Sequence, residues 1–125
     1  MEYVENETIL QYFKYANGFS EEVTSFYFLQ ICHAVSYIHD TRYAHLDLKL
    51  NNIMLDEFFN IRIGDFGSAL KVENKYGLTR KKRGTQNYMA PEVWDLNTSD
   101  PKSYFNAYKA DVYSLGVCLF ILLFK

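Results

Sequence analysis

The stretch "HLDLKLNN", His45 to Asn52, decides how this chain is read. It sets Asp47, Lys49 and Asn52 close together, directly after a hydrophobic pattern of helical period. Such polar groups cost free energy when buried without partners, so they are either solvated or hold something. Thirteen residues beyond Asn52 stands "DFG", Asp65 to Gly67, a second polar break. The two stretches are therefore read as one constellation, and the rest of the chain as its scaffold.

Upstream, Ser20 followed by Glu21 and Glu22 has the form of a helix start, with negative charge where the helix dipole favours it. Val23, Tyr27, Ile31, Ala34, Val35 and Ile38 then recur at helical spacing, which predicts a helix to about His39 with one apolar stripe. A shorter helix is predicted over Thr8 to Tyr15, closed by Asn17-Gly18 and preceded by an extended start at Met1 to Val4. Downstream, "NIML" (Asn52 to Leu55) and "IRI" (Ile61 to Ile63) are β-prone pieces joined by "DEFFN", the pattern of a small hairpin. From Gly67 to Ala90 the sequence is polar and basic without a period and reads as a long loop, a feature that is usually functional or mobile. Pro91 opens a short helix in "PEVWDL", and "NTSDPKSYFNAY" reads as another loop. The last segment, Asp111 to Phe124, predicts a helix that is apolar on nearly every face, with Gly116 inside it, as suits the centre of a larger domain.

A chain of 125 residues is enough for one ordinary domain and not two. With 49% hydrophobic and 22% charged residues its balance is globular rather than disordered. Thirteen Lys and Arg against fifteen Asp and Glu leave a net charge of −2, which weighs against a general nucleic-acid binder. The one basic run, "RKKR" at Arg80 to Arg83, reads as a solvated loop face, a contact for acidic segments, or a nuclear-localisation patch. Cys32 and Cys118 have no Cys or His at metal-ligand spacing and read as reduced, buried packing residues of an intracellular, cytoplasmic protein. His33 and His39, six apart, are not a metal pair and read as surface or helix-end residues. The first residues, "MEYVENETI", do not form the apolar core of a signal peptide. The apolar "VCLFILLF" falls short of the roughly 20 residues of a membrane span, so a core helix and no membrane partner is the expectation.

The order "HLDLKLNN", "DFG", "GTQNYMAPE", "DVYSLGV" resembles the back half of the eukaryotic protein-kinase domain, of the serine/threonine type. The resemblance implies an α+β fold: the mainly helical part of a kinase-like C-terminal lobe with a small β-hairpin, the N-terminal lobe being absent. It implies one partial kinase domain over residues 1–125, from a hinge-like "MEYV" through the catalytic loop, DFG and activation segment to the central helix. The implied reaction is transfer of the ATP γ-phosphate to a protein serine or threonine hydroxyl, with ATP and Mg²⁺ as cofactors. Such transfer depends mostly on positioning and charge neutralisation. On this resemblance Asp47 orients the substrate hydroxyl and accepts its proton, and Lys49 stabilises charge on the transferred group. Asn52 and Asp65 supply oxygen ligands to Mg²⁺, brought together by the hairpin between them. Met54 lies under the adenine ring. Lys49, two residues after Asp47, and Thr85, in "GTQNYMAPE", match the serine/threonine pattern, the Thr85 hydroxyl tying the substrate-side loop to Asp47 and Lys49. His45 and Phe66 stack in an internal column and Asp111 anchors the catalytic loop's backbone, so these three are architectural.

Leu46 departs from the pattern, since most kinases carry an arginine there that pairs with a phosphate on the activation loop. Loop phosphorylation is thus not expected to order this site in the usual way, although Ser68, Tyr76 and Thr79 remain candidates for it. A glycine-rich phosphate loop, a strand lysine and the usual arginine mate of Glu92 are not in this sequence. The isolated chain is therefore expected to be incomplete and inactive, with part of its central helix uncovered. The alternative reading is a kinase-derived fragment or pseudokinase that binds a partner through its helical surface.

Overall fold

The computed structural model describes residues 7–124, so the extended start expected at Met1 to Val4 falls outside the described residues. Helices α1 (Ile9–Tyr15) and α2 (Glu21–Asp40) lead into β1 (Tyr43–Ala44) and the pair β2 (Ile53–Leu55) and β3 (Ile61–Ile63). There follow β4 (Leu70–Lys71), β5 (Leu78–Thr79), α3 (Pro91–Trp94), β6 (Phe105–Asn106) and α4 (Ala107–Phe124). The class is α+β, with three antiparallel strand pairs among the described residues.

Local chemistry sets the helix ends. Thr8 Oγ1 accepts the Gln11 amide at 3.4 Å while Gln11 Oε1 accepts the Thr8 amide at 2.9 Å, a reciprocal cap on α1. The helix stops where Asn17 and Gly18 take φ of 53° and 95°. Ser20 Oγ accepts the Val23 amide at 3.2 Å and so starts α2. The buried face of α2 is Thr24, Ile31, Val35 and Ile38. Val23, assigned to that stripe from the sequence, is instead exposed. Thr24, two turns before Ile31, takes the inward position because its hydroxyl donates to the Leu122 carbonyl at 3.3 Å, which removes the cost of burying it.

The expected hairpin is present: Ile53 faces Ile63 and Leu55 faces Ile61 across β2 and β3. Asp56 closes its turn, Oδ1 accepting the Phe58 and Asn60 amides at 2.9 Å each and Oδ2 pairing with Arg62 at 3.0 Å. The Asn60 amide, followed by the Phe58 amide and the Arg62 charge, holds the Asp56 carboxyl below its ordinary value. The stretch read as one long loop is not structureless. It contains β4, which pairs with β1, and β5, which pairs with β6, together with tight turns at Phe66–Ser68 and Gln86–Tyr88. The final helix also begins four residues before the expected Asp111, at Ala107, where Asn106 Oδ1 accepts the Lys109 amide at 3.0 Å and caps the first turn.

Two cores meet at residues 45–52. The first joins Ile9 and Phe13 of α1, Ile31 and Val35 of α2, the hairpin residues Ile53, Leu55 and Ile61, and Leu115, Cys118 and Leu122 of α4. The second gathers Ala44, Leu46, Val72, Val93, Phe105 and Ala110 beneath the segment that follows Asp65. As expected, α4 is apolar on nearly every face and part of it is uncovered. Ala110, Asp111, Ser114, Leu115, Cys118 and Leu122 are buried, whereas Val112, Phe120 and Phe124 are exposed. By length and composition alone α4 passes as a membrane span, which the shorter "VCLFILLF" does not. Its packing on α2 and its buried, fully bonded Asp111 are those of a core helix.

Candidate active site

Leu46, Leu48 and Leu50 alternate with Asp47 and Lys49, and the alternation builds the site. Leu48 and Leu50 are fully buried in the first core and Leu46 is buried in the second, each contributing about 1.5–3 kcal/mol. The intervening Asp47 and Lys49 side chains are left part-exposed on the opposite side. Leu46 has φ of 62°, a left-handed conformation that costs an L-residue roughly 1–2 kcal/mol.

Asp111 holds that conformation. Its carboxylate is fully buried, Oδ1 accepting the Leu46 amide and Oδ2 the His45 amide, both at 2.8 Å. His39 Nε2 reaches Oδ2 at the same distance, so the buried charge is met by three donors. His39 at the end of α2 is thus a bonded partner of the site and not simply a surface residue, a role the sequence reading missed. His45 is fully buried, its Nδ1 accepting the Asp47 amide at 3.2 Å and its Nε2 lying 2.9 Å from the Gly64 carbonyl. These partners fix the ring's single proton on Nε2. Its ring meets Phe66 edge to face with centroids 5.0 Å apart.

Thr85 brings the loop charges together. Its Oγ1 donates to Asp47 Oδ1 at 2.5 Å and accepts from Lys49 Nζ at 2.9 Å, while Lys49 Nζ lies 3.6 Å from Asp47 Oδ2. Asn52 Nδ2 donates to the Asp47 carbonyl at 2.8 Å, with Asp47 Oδ2 at 3.4 Å, which leaves its own Oδ1 for a ligand. The Gly64 amide donates to the Asn52 carbonyl at 2.8 Å and extends the hairpin ladder to the residue before Asp65. Asn52 and Asp65 therefore leave neighbouring strands at the same end. Asp65, at φ of 53°, turns its Oδ1 to the Gly67 amide at 3.3 Å, away from any hydrogen bond to Asp47 or Asn52 among the described residues. Met54 lies on β2 opposite Arg62, and its Cε fills the space over Gly64 that any Cβ there would need. Gly84 is needed for a different reason: with φ of 114°, a Cβ on it would come within 2.5 Å of the Leu46 carbonyl oxygen.

The donor set suits magnesium. Among the described residues no cluster of three or more His, Cys, Asp or Glu forms a self-contained metal site. A pair of oxygen ligands at one end of the hairpin is what Mg²⁺ takes when phosphates and water complete its shell. In the basic run Lys81 and Lys82 are exposed, as a solvated loop face requires, while Arg80 and Arg83 are half-buried. Arg80 donates to the Thr98 and Asp100 carbonyls at 2.9 and 3.0 Å, Lys82 to the Trp94 carbonyl at 2.6 Å, and Arg83 to the Ser68 and Ala69 carbonyls at 3.2 Å each. Burial pushes the Cys118 thiol up to about 12 and raises that of the half-buried Cys32. Both fit packing rather than chemistry.

The family profile described as the protein kinase domain matches residues 1–125. The chain is 37% identical to the cell cycle serine/threonine-protein kinase CDC5/MSD2 of Saccharomyces cerevisiae, the match covering 98% of this chain and 17% of that protein. It is 33% identical to the serine/threonine-protein kinase polo of Drosophila melanogaster, covering 98% and 20%. It is 44% identical to CBL-interacting serine/threonine-protein kinase 15 of Arabidopsis thaliana, covering 82% and 24%. The chain thus spans a quarter or less of the length of these relatives. With the whole chain matched by the profile, it belongs to the protein kinase family.

Proposed function

We propose that residues 1–125 are part of the catalytic domain of a serine/threonine protein kinase, which transfers the γ-phosphoryl group of Mg-ATP to a protein serine or threonine hydroxyl. One observation carries the reading: a threonine hydroxyl, that of Thr85, already sits between the Asp47 carboxylate and the Lys49 ammonium. A substrate hydroxyl presented beside it meets the same acceptor. Asp47 then orients the hydroxyl and receives its proton, while Lys49 offsets negative charge arriving on the transferred group. Asn52 Oδ1 and the Asp65 carboxylate are the groups that would hold Mg²⁺, whose charge neutralises the phosphates when bound. Met54, beside Gly64, would support the nucleotide base. The two unpaired cysteines support an intracellular setting.

In the intact protein Asp47→Ala is expected to lower kcat by about 10²–10⁴-fold while ATP affinity stays within about twofold. Asp65→Asn is expected to weaken nucleotide binding in a Mg²⁺-dependent manner. Undiminished turnover in Asp47→Ala overturns the assignment. The exposed Val112, Phe120 and Phe124 favour a second reading, a binding module without catalysis. Wild-type protein that shows no Mg²⁺-dependent ATP binding supports that one.

A further inference from the structure

Arg83 lies between the two halves of the site, one residue before Gly84 and two before Thr85. Its guanidinium crosses the segment and donates from Nη1 to two successive carbonyls, Ser68 and Ala69, which follow directly on the Asp65 turn. The same side chain borders the narrow cleft shared by Leu46, Asp47 and Thr85. A cation bonded to two main-chain oxygens in a half-buried place makes stronger bonds than a neutral donor does. No anionic group is needed for this tie. The neighbouring position that would offer a second cation is Leu46, and its side chain is committed to the second core. Arg80 and Lys82 tie the same segment to the chain on its other side, through the Thr98, Asp100 and Trp94 carbonyls.

We propose that Arg83 is a positioning residue: by gripping the Ser68 and Ala69 carbonyls it locks the Asp65 turn to the loop carrying Thr85, so the segment is ordered without a phosphate. The consequence for phosphoryl transfer rests on the function proposed above; the mechanical coupling does not. Arg83→Met removes the donors and keeps the length of the side chain, while Arg83→Lys keeps the charge and loses the planar fork.

Amide hydrogen exchange on the intact, unphosphorylated protein, without nucleotide, reads the coupling directly. Arg83→Met is expected to speed exchange about tenfold in both Phe66–Leu70 and Gly84–Tyr88, with α2 and α4 unchanged, and Arg83→Lys to give a smaller rise at the same two places. In transfer assays Arg83→Met is expected to lower kcat about tenfold with the peptide KM held within about twofold, and Arg83→Lys to recover part of the loss. Phosphatase treatment of the wild type is expected to change neither measurement. Exchange that stays at the wild-type rate in Phe66–Leu70, in either variant, overturns the proposal, as does a wild type that gains its protection there only once phosphorylated. Should Arg83→Met not fold, the Arg83→Lys exchange decides. A wild type that transfers no phosphate sinks the proposed function alone, because the exchange result still stands or falls by itself.

Discussion

Replacing Gly84 by alanine tests the contact on which the site geometry closes. The new Cβ would stand 2.5 Å from the Leu46 carbonyl oxygen, against the 3.0 Å below which such contacts essentially never occur. The two backbones must then part by at least about 0.5 Å, the difference of those distances. The φ of 114° adds strain for any residue with a side chain. Together the crowding and the strain cost about 3 kcal/mol. For 125 residues alone the unfolding entropy is about 0.26 kcal/mol per kelvin, so Tm falls by at most roughly 11 °C, and by less where a larger unit unfolds together. The displacement acts next to Thr85, whose hydroxyl is bonded to Asp47, and misplacement by half an ångström lowers turnover by about tenfold. Gly116→Ala is the matched control. Nothing lies within 4 Å of a Cβ there, so the same substitution removes helix-breaking entropy and raises stability by about 0.5–1 kcal/mol. Thermal melts followed by circular dichroism, with transfer assays on the intact protein, check both. A Gly84→Ala protein that melts within 2 °C of wild type, or a Gly116→Ala protein that loses as much as Gly84→Ala does, refutes the reasoning (the 2 °C threshold is about 0.5 kcal/mol).

Two further outcomes follow from the titrating groups. The Asp56 carboxyl is held below its ordinary 3.8 in the folded state, so its contribution is present above that value and is lost as pH falls through the lower, folded one. Asp56→Asn should therefore flatten the acid limb of a Tm-against-pH curve, and an unchanged limb removes this carboxylate from the hairpin's stability. The Cys118 thiol, raised from 9.0 to about 12, stays neutral in the folded chain while the unfolded chain ionises, so stability declines as pH rises beyond 9. At neutral pH Cys32 should react first with a disulfide reagent and Cys118 only at the rate of global unfolding; equal, fast reaction of both contradicts the packing.

Local signals in the sequence were reliable where the chemistry is local. Ser20 with Glu21 and Glu22, the Asn17-Gly18 stop after the first helix, and the β-prone pieces around "DEFFN" all mark elements that the structure contains. The two-residue strands were not readable, because Tyr43 finds Lys71 and Leu78 finds Asn106, pairings set by tertiary packing with no period of their own. Thr24 in place of Val23 shows the same limit, since its inward position depends on the Leu122 carbonyl at the far end of the chain. At the site, Asp47, Lys49 and Thr85 lie within hydrogen-bond reach of one another, an arrangement that only the kinase resemblance implied. The bonded roles of His39 and Arg83 were not readable because their partners, Asp111 and the Ser68 and Ala69 carbonyls, are joined to them only by the fold. The alternation of Leu46, Leu48 and Leu50 was a signal in plain view, and it explains why the two charges between them face outward.

Asp111 gives the chain a timetable. During synthesis Asp47, Lys49 and Thr85 are made well before the carboxylate that fixes the His45 and Leu46 amides. Until that later helix emerges and docks, the left-handed turn at Leu46 has nothing to hold it, and a nascent chain cannot carry a formed site. Docking of that later helix and closure of the turn at Leu46 therefore arrive in one event, so the earlier loop takes its shape only from a segment made after it.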